Sequence, residues 1–119
     1  MTSELRDQMS DIKIRATLNG DETTVKCLMS HPMESGLRQD SNTGKIIPAH
    51  FIEEVICKVN NEIVMTASWS SGVSANPYLS FKFRGGAAGD PITVTWKDNQ
   101  GNTQSETDQI KAGSRRSQI

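Results

Sequence analysis

The sequence predicts an all-β protein, a two-sheet antiparallel sandwich of immunoglobulin or fibronectin type III kind with about seven strands. Three observations carry this expectation. Short runs alternate apolar and polar residues with period two. Turn signals rich in Gly, Asn, Asp and Pro separate these runs every roughly 8–12 residues. Finally, no long stretch combines helical periodicity with helix caps. The apolar fraction of 34% lies below the roughly 45–50% usual when glycine is included. Adding the nine glycines narrows the gap, which suits a thin sandwich better than a thick α/β core.

Residues 1–10 are polar and are expected to form a flexible N-terminus. Ile12, Ile14, Ala16 and Leu18 then alternate as one face of a first strand, and Asn19-Gly20-Asp21 reads as a hairpin turn. Val25, Cys27 and Met29 share the inward parity of a second strand, which stops at His31-Pro32. Alternation resumes at Phe51, with Phe51, Val55, Cys57 and Val59 on one face and Ile52, Glu54, Ile56 and Lys58 on the other. Asn60-Asn61 turns the chain into Ile63, Met65, Ala67 and Trp69, which Ser70-Ser71-Gly72 ends. Tyr78 to Phe83 form the next strand after Asn76-Pro77, and Gly85-Gly86 stops it. Ile92, Val94 and Trp96 follow, then the turn Asp98-Asn99-Gln100-Gly101 and a polar last strand through Ile110. This reading makes residues 11–110 one domain and 111–119 a flexible C-terminal tail. Its expected core is Ile12, Ile14, Val25, Val55, Val59, Trp69, Phe81, Phe83, Val94 and Trp96. A chain of 119 residues holds one such core without needing staples.

Thirteen basic and fourteen acidic residues leave a net charge of -1, which does not provide the broad basic face of a nucleic-acid-binding domain. No apolar run approaches the roughly 18 residues of a membrane span. Met1 to Ser10 lack the apolar core of a signal peptide, which by itself points to the cytoplasm. Two cysteines fit a disulfide or two buried free thiols equally well.

The segment from Cys27 to Phe51 interrupts the strand rhythm and holds both histidines. A loop of this length in a small domain is usually functional or disordered, and its Met, Leu, Ile, Pro and Phe are too apolar for disorder. Cys27, Met29, His31, Met33 and His50 raise the idea of a blue-copper site, built from a thiolate, two imidazoles and a thioether. The spacing opposes it, because no histidine lies upstream of Cys27. The competing reading makes Cys27 and Met29 ordinary core residues. A nucleophilic Cys27 assisted by His31 would need an exposed, activated thiol, whereas both cysteines fall on inward parity. Glu53 and Glu54, being neighbours on a strand, point to opposite faces and cannot flank one bond, and Glu34 reads as a surface carboxylate. Gly85-Gly86-Ala87-Ala88-Gly89 lacks the Lys-Ser/Thr of a phosphate loop. His31 and His50 are expected to bond loop carbonyls and fix the loop's shape, with a binding role as the open alternative, because imidazole also donates to an anion. No catalytic, cofactor or metal residue is assigned.

The motifs Met29-Ser30-His31-Pro32-Met33-Glu34, Gly36-Leu37-Arg38, Thr43-Gly44-Lys45, Ile47-Pro48-Ala49-His50-Phe51-Ile52, Asn76 to Phe83 and Thr93-Val94-Thr95-Trp96 resemble the SoxZ family. That family supplies the small subunit of the SoxYZ sulfur-carrier complex of thiosulfate oxidation. The resemblance covers about residues 11–110. It implies a fibronectin-like sandwich that binds SoxY, whose mobile Gly-Gly-Cys-Gly-Gly arm carries the sulfur, and through SoxY it implies indirect contact with other Sox enzymes. The sequence ends Gly113-Ser114-Arg115-Arg116-Ser117-Gln118-Ile119 without such a cysteine, so the resemblance implies a non-catalytic companion without cofactor; whether the isolated chain forms homo-oligomers is left open. It also implies a periplasmic location reached by export with a signal-bearing partner. A cupredoxin-like copper electron carrier is the alternative. For partner binding the expected residues are Met33, Leu37, Ile46, Ile47 and Pro48, apolar side chains on a surface loop, with Arg38 beside them as a forked donor; the equal alternative is that the loop folds back to cap one end of the sandwich.

Overall fold

Eight strands appear in the computed structural model, which describes residues 12–113. They are β1 (Ile12–Asn19), β2 (Glu22–Met29), β3 (Ile52–Val59), β4 (Glu62–Ser68), β5 (Tyr78–Arg84), β6 (Pro91–Asp98), β7 (Thr103–Gln109) and β8 (Lys111–Ala112). Two four-stranded sheets result, ordered β5-β2-β1-β8 and β4-β3-β6-β7. The sandwich expected from the alternation is therefore present. The flexible N-terminus assigned to residues 1–10, and residues 114–119 of the expected tail, lie outside the described residues.

Turn chemistry fixes the hairpins. Asn19 pairs with Glu22 across a two-residue loop whose Gly20 has φ +67°. Val59 pairs with Glu62 across Asn60 and Asn61, both left-handed at φ 52° and 69°. Two left-handed central residues make the turn whose twist matches the flanking strands, and asparagine tolerates that conformation.

Two bulges correct the expected parity. Along β3 and β6, Ile52 pairs with Asp98 but Glu54 pairs with Lys97, so Glu53 is an extra residue. An inserted residue breaks the alternation of faces. Ile52 thus turns inward with Val55 and is fully buried, while Phe51 is half-buried. Between β3 and β4, Cys57 pairs with Met65 and Lys58 with Ile63, which leaves Val64 over. Ile63 is consequently 58% exposed instead of facing the core.

The buried core comprises Ile12, Ala16, Val25, Cys27, Met29, Met33, Ile52, Val55, Cys57, Val59, Ile92, Val94, Trp96 and Ile110. Four expected members, Ile14, Trp69, Phe81 and Phe83, are only half-buried against it. Phe81 and Phe83 lie on the edge strand β5, and Trp69 follows the edge strand β4. An edge strand has a neighbour on one side only, so its inward side chains are less completely covered.

The expected tail begins with structure. Lys111 and Ala112 form β8, paired in parallel with Thr17 and Leu18 of β1. Because β7 belongs to one sheet and β8 to the other, the chain crosses the sandwich at Ile110. That residue is 1% exposed. Its amide donates to the Asp90 carbonyl at 2.9 Å and its carbonyl accepts from Gly89 at 2.7 Å.

Candidate functional site

The long β2–β3 connection folds on itself as an irregular hairpin. Glu34 and His50 exchange backbone hydrogen bonds at 2.7 and 2.9 Å, and Ile47 donates to the Arg38 carbonyl at 2.8 Å. At the tip, Asp40 Oδ1 accepts from the amides of Asn42 at 2.7 Å and Thr43 at 3.2 Å, the side-chain turn that aspartate favours. Gly36 has φ +87°, and a Cβ there would lie 3.2 Å from that of Ala49.

At the base of this loop, the two histidines meet one carboxylate. His31, just past β2, is 4% exposed, and its Nε2 lies 3.0 Å from Asp98 Oδ2. His50 Nε2 reaches the same oxygen at 2.7 Å. The imidazole rings are 4.5 Å apart, and Trp96 packs edge-on against His31 at 5.0 Å. Asn102 Nδ2 adds a third donor to Oδ2 at 3.1 Å. The amides of Gln100 and Asn102 donate to Oδ1 at 3.0 and 2.8 Å. Asp98 is the last residue of β6 and its side chain is closed to solvent. Burial by itself pushes its pKa up. The bonds from His31, Asn102 and His50 outweigh burial and hold the carboxyl well below the usual carboxylate range.

Tautomers follow from the partners. His31 Nδ1 accepts the Met33 amide proton at 3.0 Å, so the ring's own proton sits on Nε2 and points at Asp98. His50 Nε2 also donates, since an ionised carboxylate only accepts. The His31 backbone is held as well, by Asn76 Oδ1 at 3.0 Å and by the Asn76 amide on its carbonyl at 2.9 Å. This clamp ties the loop, and the end of β2, to the β6–β7 turn in the other sheet.

The ligand atoms of His31, His50 and Asp98 lie within 4.8 Å of one another, close enough for one cation. The hydrogen bonds do not suit that role. A metal on His31 Nε2 needs the proton on Nδ1, where the Met33 amide already donates. Nor does the blue-copper ligand set assemble: among the described residues, neither cysteine joins this group. Both cysteines are buried free thiols in facing sheets, and burial pushes Cys27 up to about 11 and Cys57 up to about 12. A thiolate nucleophile at Cys27 assisted by His31 is equally unsupported, because both ring nitrogens of His31 are engaged.

The expected contact residues separate. Met33 is corrected: it has φ 49° and turns inward to 6% exposure, and its Sδ accepts from the Ile52 amide at 3.3 Å. Leu37 is 84% exposed and Ile46 54%. Pro48 and Arg38 are also exposed, and Ile47 is half-buried. Arg38 grips Glu34 through two bonds of 3.1 and 2.6 Å. That grip holds the Glu34 carboxyl below its ordinary value. The histidines do fix the loop, but through a carboxylate instead of loop carbonyls. Asp98 was legible only as a turn residue, and no local signal couples it to partners 48 and 67 positions upstream.

These features define a class: a two-sheet β-sandwich whose longest loop is locked across the sheets by a buried histidine–carboxylate clamp. The profile of the family described as Sulphur oxidation protein SoxZ matches residues 12–109. The chain belongs to the SoxZ family, which assigns it to the Sox sulfur-oxidation system.

No curated protein matches the chain by sequence. Among solved structures it is similar to the superoxide reductase (neelaredoxin) from Ignicoccus hospitalis. One substituted form of that protein has a TM-score of 0.62 at 16% identity, covering 87% of this chain and 81% of that one. A second substituted form gives 0.63 at 14% identity, covering 95% and 88%. A third structure of that protein gives 0.58 at 15%, covering 86% and 80%. At such identities the likeness is one of fold.

Proposed function

We propose that this chain is a non-catalytic companion subunit that binds SoxY, the carrier of covalently bound sulfur, during thiosulfate oxidation in the periplasm. In this reading it is exported while bound to its signal-bearing partner. Family membership supports the partner. The observation that carries the mode of binding is the exposed loop hairpin, where Leu37 and Ile46 face solvent on a segment rooted in a buried clamp. An apolar strip held in place loses little conformational freedom on docking, which favours affinity. Pro48 and the half-buried Ile47 continue the apolar strip, and Arg38 supplies its polar rim.

The test is a Leu37→Asp, Arg38→Ala double variant titrated with SoxY by calorimetry. Affinity is expected to fall at least about tenfold, equivalent to about 1.4 kcal/mol, with an unchanged circular dichroism spectrum. Unchanged affinity in the folded variant moves the interface to a sheet face or edge. Failure of the native chain to form any complex with SoxY overturns the companion role.

A further inference from the structure

On the outer face of the β5-β2-β1 sheet, side chains of like charge are set directly against each other. Arg15 of β1 lies opposite Lys26 of β2, and Lys13, two residues along β1, lies opposite Leu28. Across β2, Leu28 opposes Tyr78 and Lys26 opposes Ser80. All of these face solvent, Leu28 at 46% and Tyr78 at 60% exposure. Lys13, Arg15 and Lys26 have no ion pair among the described residues. Carboxylates nearby are engaged already, Glu22 with Lys82 at 3.9 Å, Asp21 with Arg84 at 2.8 Å, and Asp108, which lines a hollow with Arg15, with Lys111 at 3.8 Å.

Like charges directly opposite on neighbouring strands weaken a sheet. The outer face of the second sheet shows the contrasting pattern. There the Thr93 and Thr107 hydroxyls meet at 2.8 Å, Thr95 and Ser105 meet at 2.7 Å, and Glu54 lies opposite Lys97. The first face thus sets one like-charged pair, Arg15 and Lys26, beside an exposed tyrosine and leucine, while its opposite-charge pairing, Glu22 with Arg84, lies at the far end of β2. A shallow hollow lined by Lys13, Arg15, Lys26, Leu28 and Tyr78 marks the same place.

We infer that this face is a second docking surface, which takes an acidic segment of a partner protein. Carboxylates of that segment neutralise Lys13, Arg15 and Lys26, and an apolar side chain rests on Leu28 and Tyr78. The charge pattern selects the occupant. Three cations without an ion pair among the described residues, on a chain of net charge -1, are too few for a nucleic-acid track, while arginine and tyrosine beside apolar area are typical of protein contacts. The surface uses no residue of the β2–β3 loop and does not rest on the SoxY reading.

Two measurements test it. In the first, Lys26→Glu turns the repelling pair into an attractive one and is expected to raise the melting temperature of the full chain. An unchanged or lower melting temperature removes the premise of unrelieved repulsion. In the second, the labelled chain is titrated by NMR with a short synthetic peptide of glutamate interspersed with leucine. Amide shifts are expected at Lys13, Arg15, Lys26, Leu28 and Tyr78, with affinity falling about tenfold between about 20 and about 200 mM salt. An Arg15→Glu, Lys26→Glu variant should lose them. Absent shifts, shifts elsewhere, equal binding of the glutamine version, or stronger binding to a single-stranded oligonucleotide or to phosphatidylglycerol vesicles each overturn the inference.

Discussion

His31 and Asp98, 67 positions apart in the chain, meet at 3.0 Å with both side chains closed to solvent. One belongs to the loop that follows β2 and the other ends β6, so this contact fastens one sheet of the sandwich to the other at the end where the long loop emerges. Most of the other cross-sheet contacts are apolar and non-directional. This one specifies a distance, a tautomer and an orientation.

Removing the carboxylate should be costly. Asp98→Ala strands two imidazole donors, the Asn102 amide and two backbone N–H groups. Deleting one partner of a buried charged network costs about 3–5 kcal/mol, and urea unfolding is expected to show a loss of that size. His31→Ala should cost more than His50→Ala, since the His50 side chain retains 27% exposure while that of His31 retains 2%.

The same carboxylate predicts an acid dependence. Its pKa is lowered in the folded protein from an ordinary 3.8, so the unfolded chain takes up the proton first as pH falls. The contribution of Asp98 to stability is therefore full above the ordinary value and is lost as pH drops through it toward the lower, folded value. Urea midpoints measured from about pH 6 to about pH 3 should fall more steeply for the native chain than for Asp98→Asn. Parallel slopes would show that the carboxylate is not held ionised by these bonds.

Neither thiol should react in the folded state. With Cys27 pushed up to about 11, only about one molecule in a thousand carries the thiolate at about pH 8, and burial blocks reagents as well. Alkylation by iodoacetamide is expected only after denaturation. On the proposed companion role, replacing Cys27 and Cys57 with alanine should leave thiosulfate turnover by a reconstituted Sox pathway within a few-fold of native once stability is matched.

The bulge at Glu53 reverses an expectation and is simple to check. Ile52→Ala should cost about 2–5 kcal/mol, as for other buried aliphatic truncations. Phe51→Ala should cost less despite removing more atoms, because Phe51 is half-buried. The opposite order would place Ile52 on the solvent side.

Strands β1 to β7 were legible in the sequence because each carries its own alternation and is bounded by Gly, Asn or Pro. What escaped was whatever depends on a neighbour. Neither Glu53 nor Val64 has a composition that announces an extra residue, and the bulges exist only in the register with β6 and β4. Met33 lies in a loop whose composition suggests exposure, yet a left-handed φ turns it beneath the loop. The histidines are visible as loop anchors, whereas their carboxylate lies four strands further along the chain, at the edge of what reads as an ordinary turn. Leu37 and Ile46 were legible as exposed because nothing periodic surrounds them.

The parallel pair of β1 with β8 has a consequence for biosynthesis. The first described strand receives its second neighbour from the last one, through Thr17 with Lys111 and Leu18 with Ala112. While the ribosome is still making the chain, β1 can find β2 and later β5 can join, but that flank of the sheet stays open until residues past Ala112 clear the exit tunnel. A hydrophobic sandwich with one flank unfinished is a substrate for chaperones and for wrong pairings. Completion of this sheet thus waits for the β7–β8 segment to emerge.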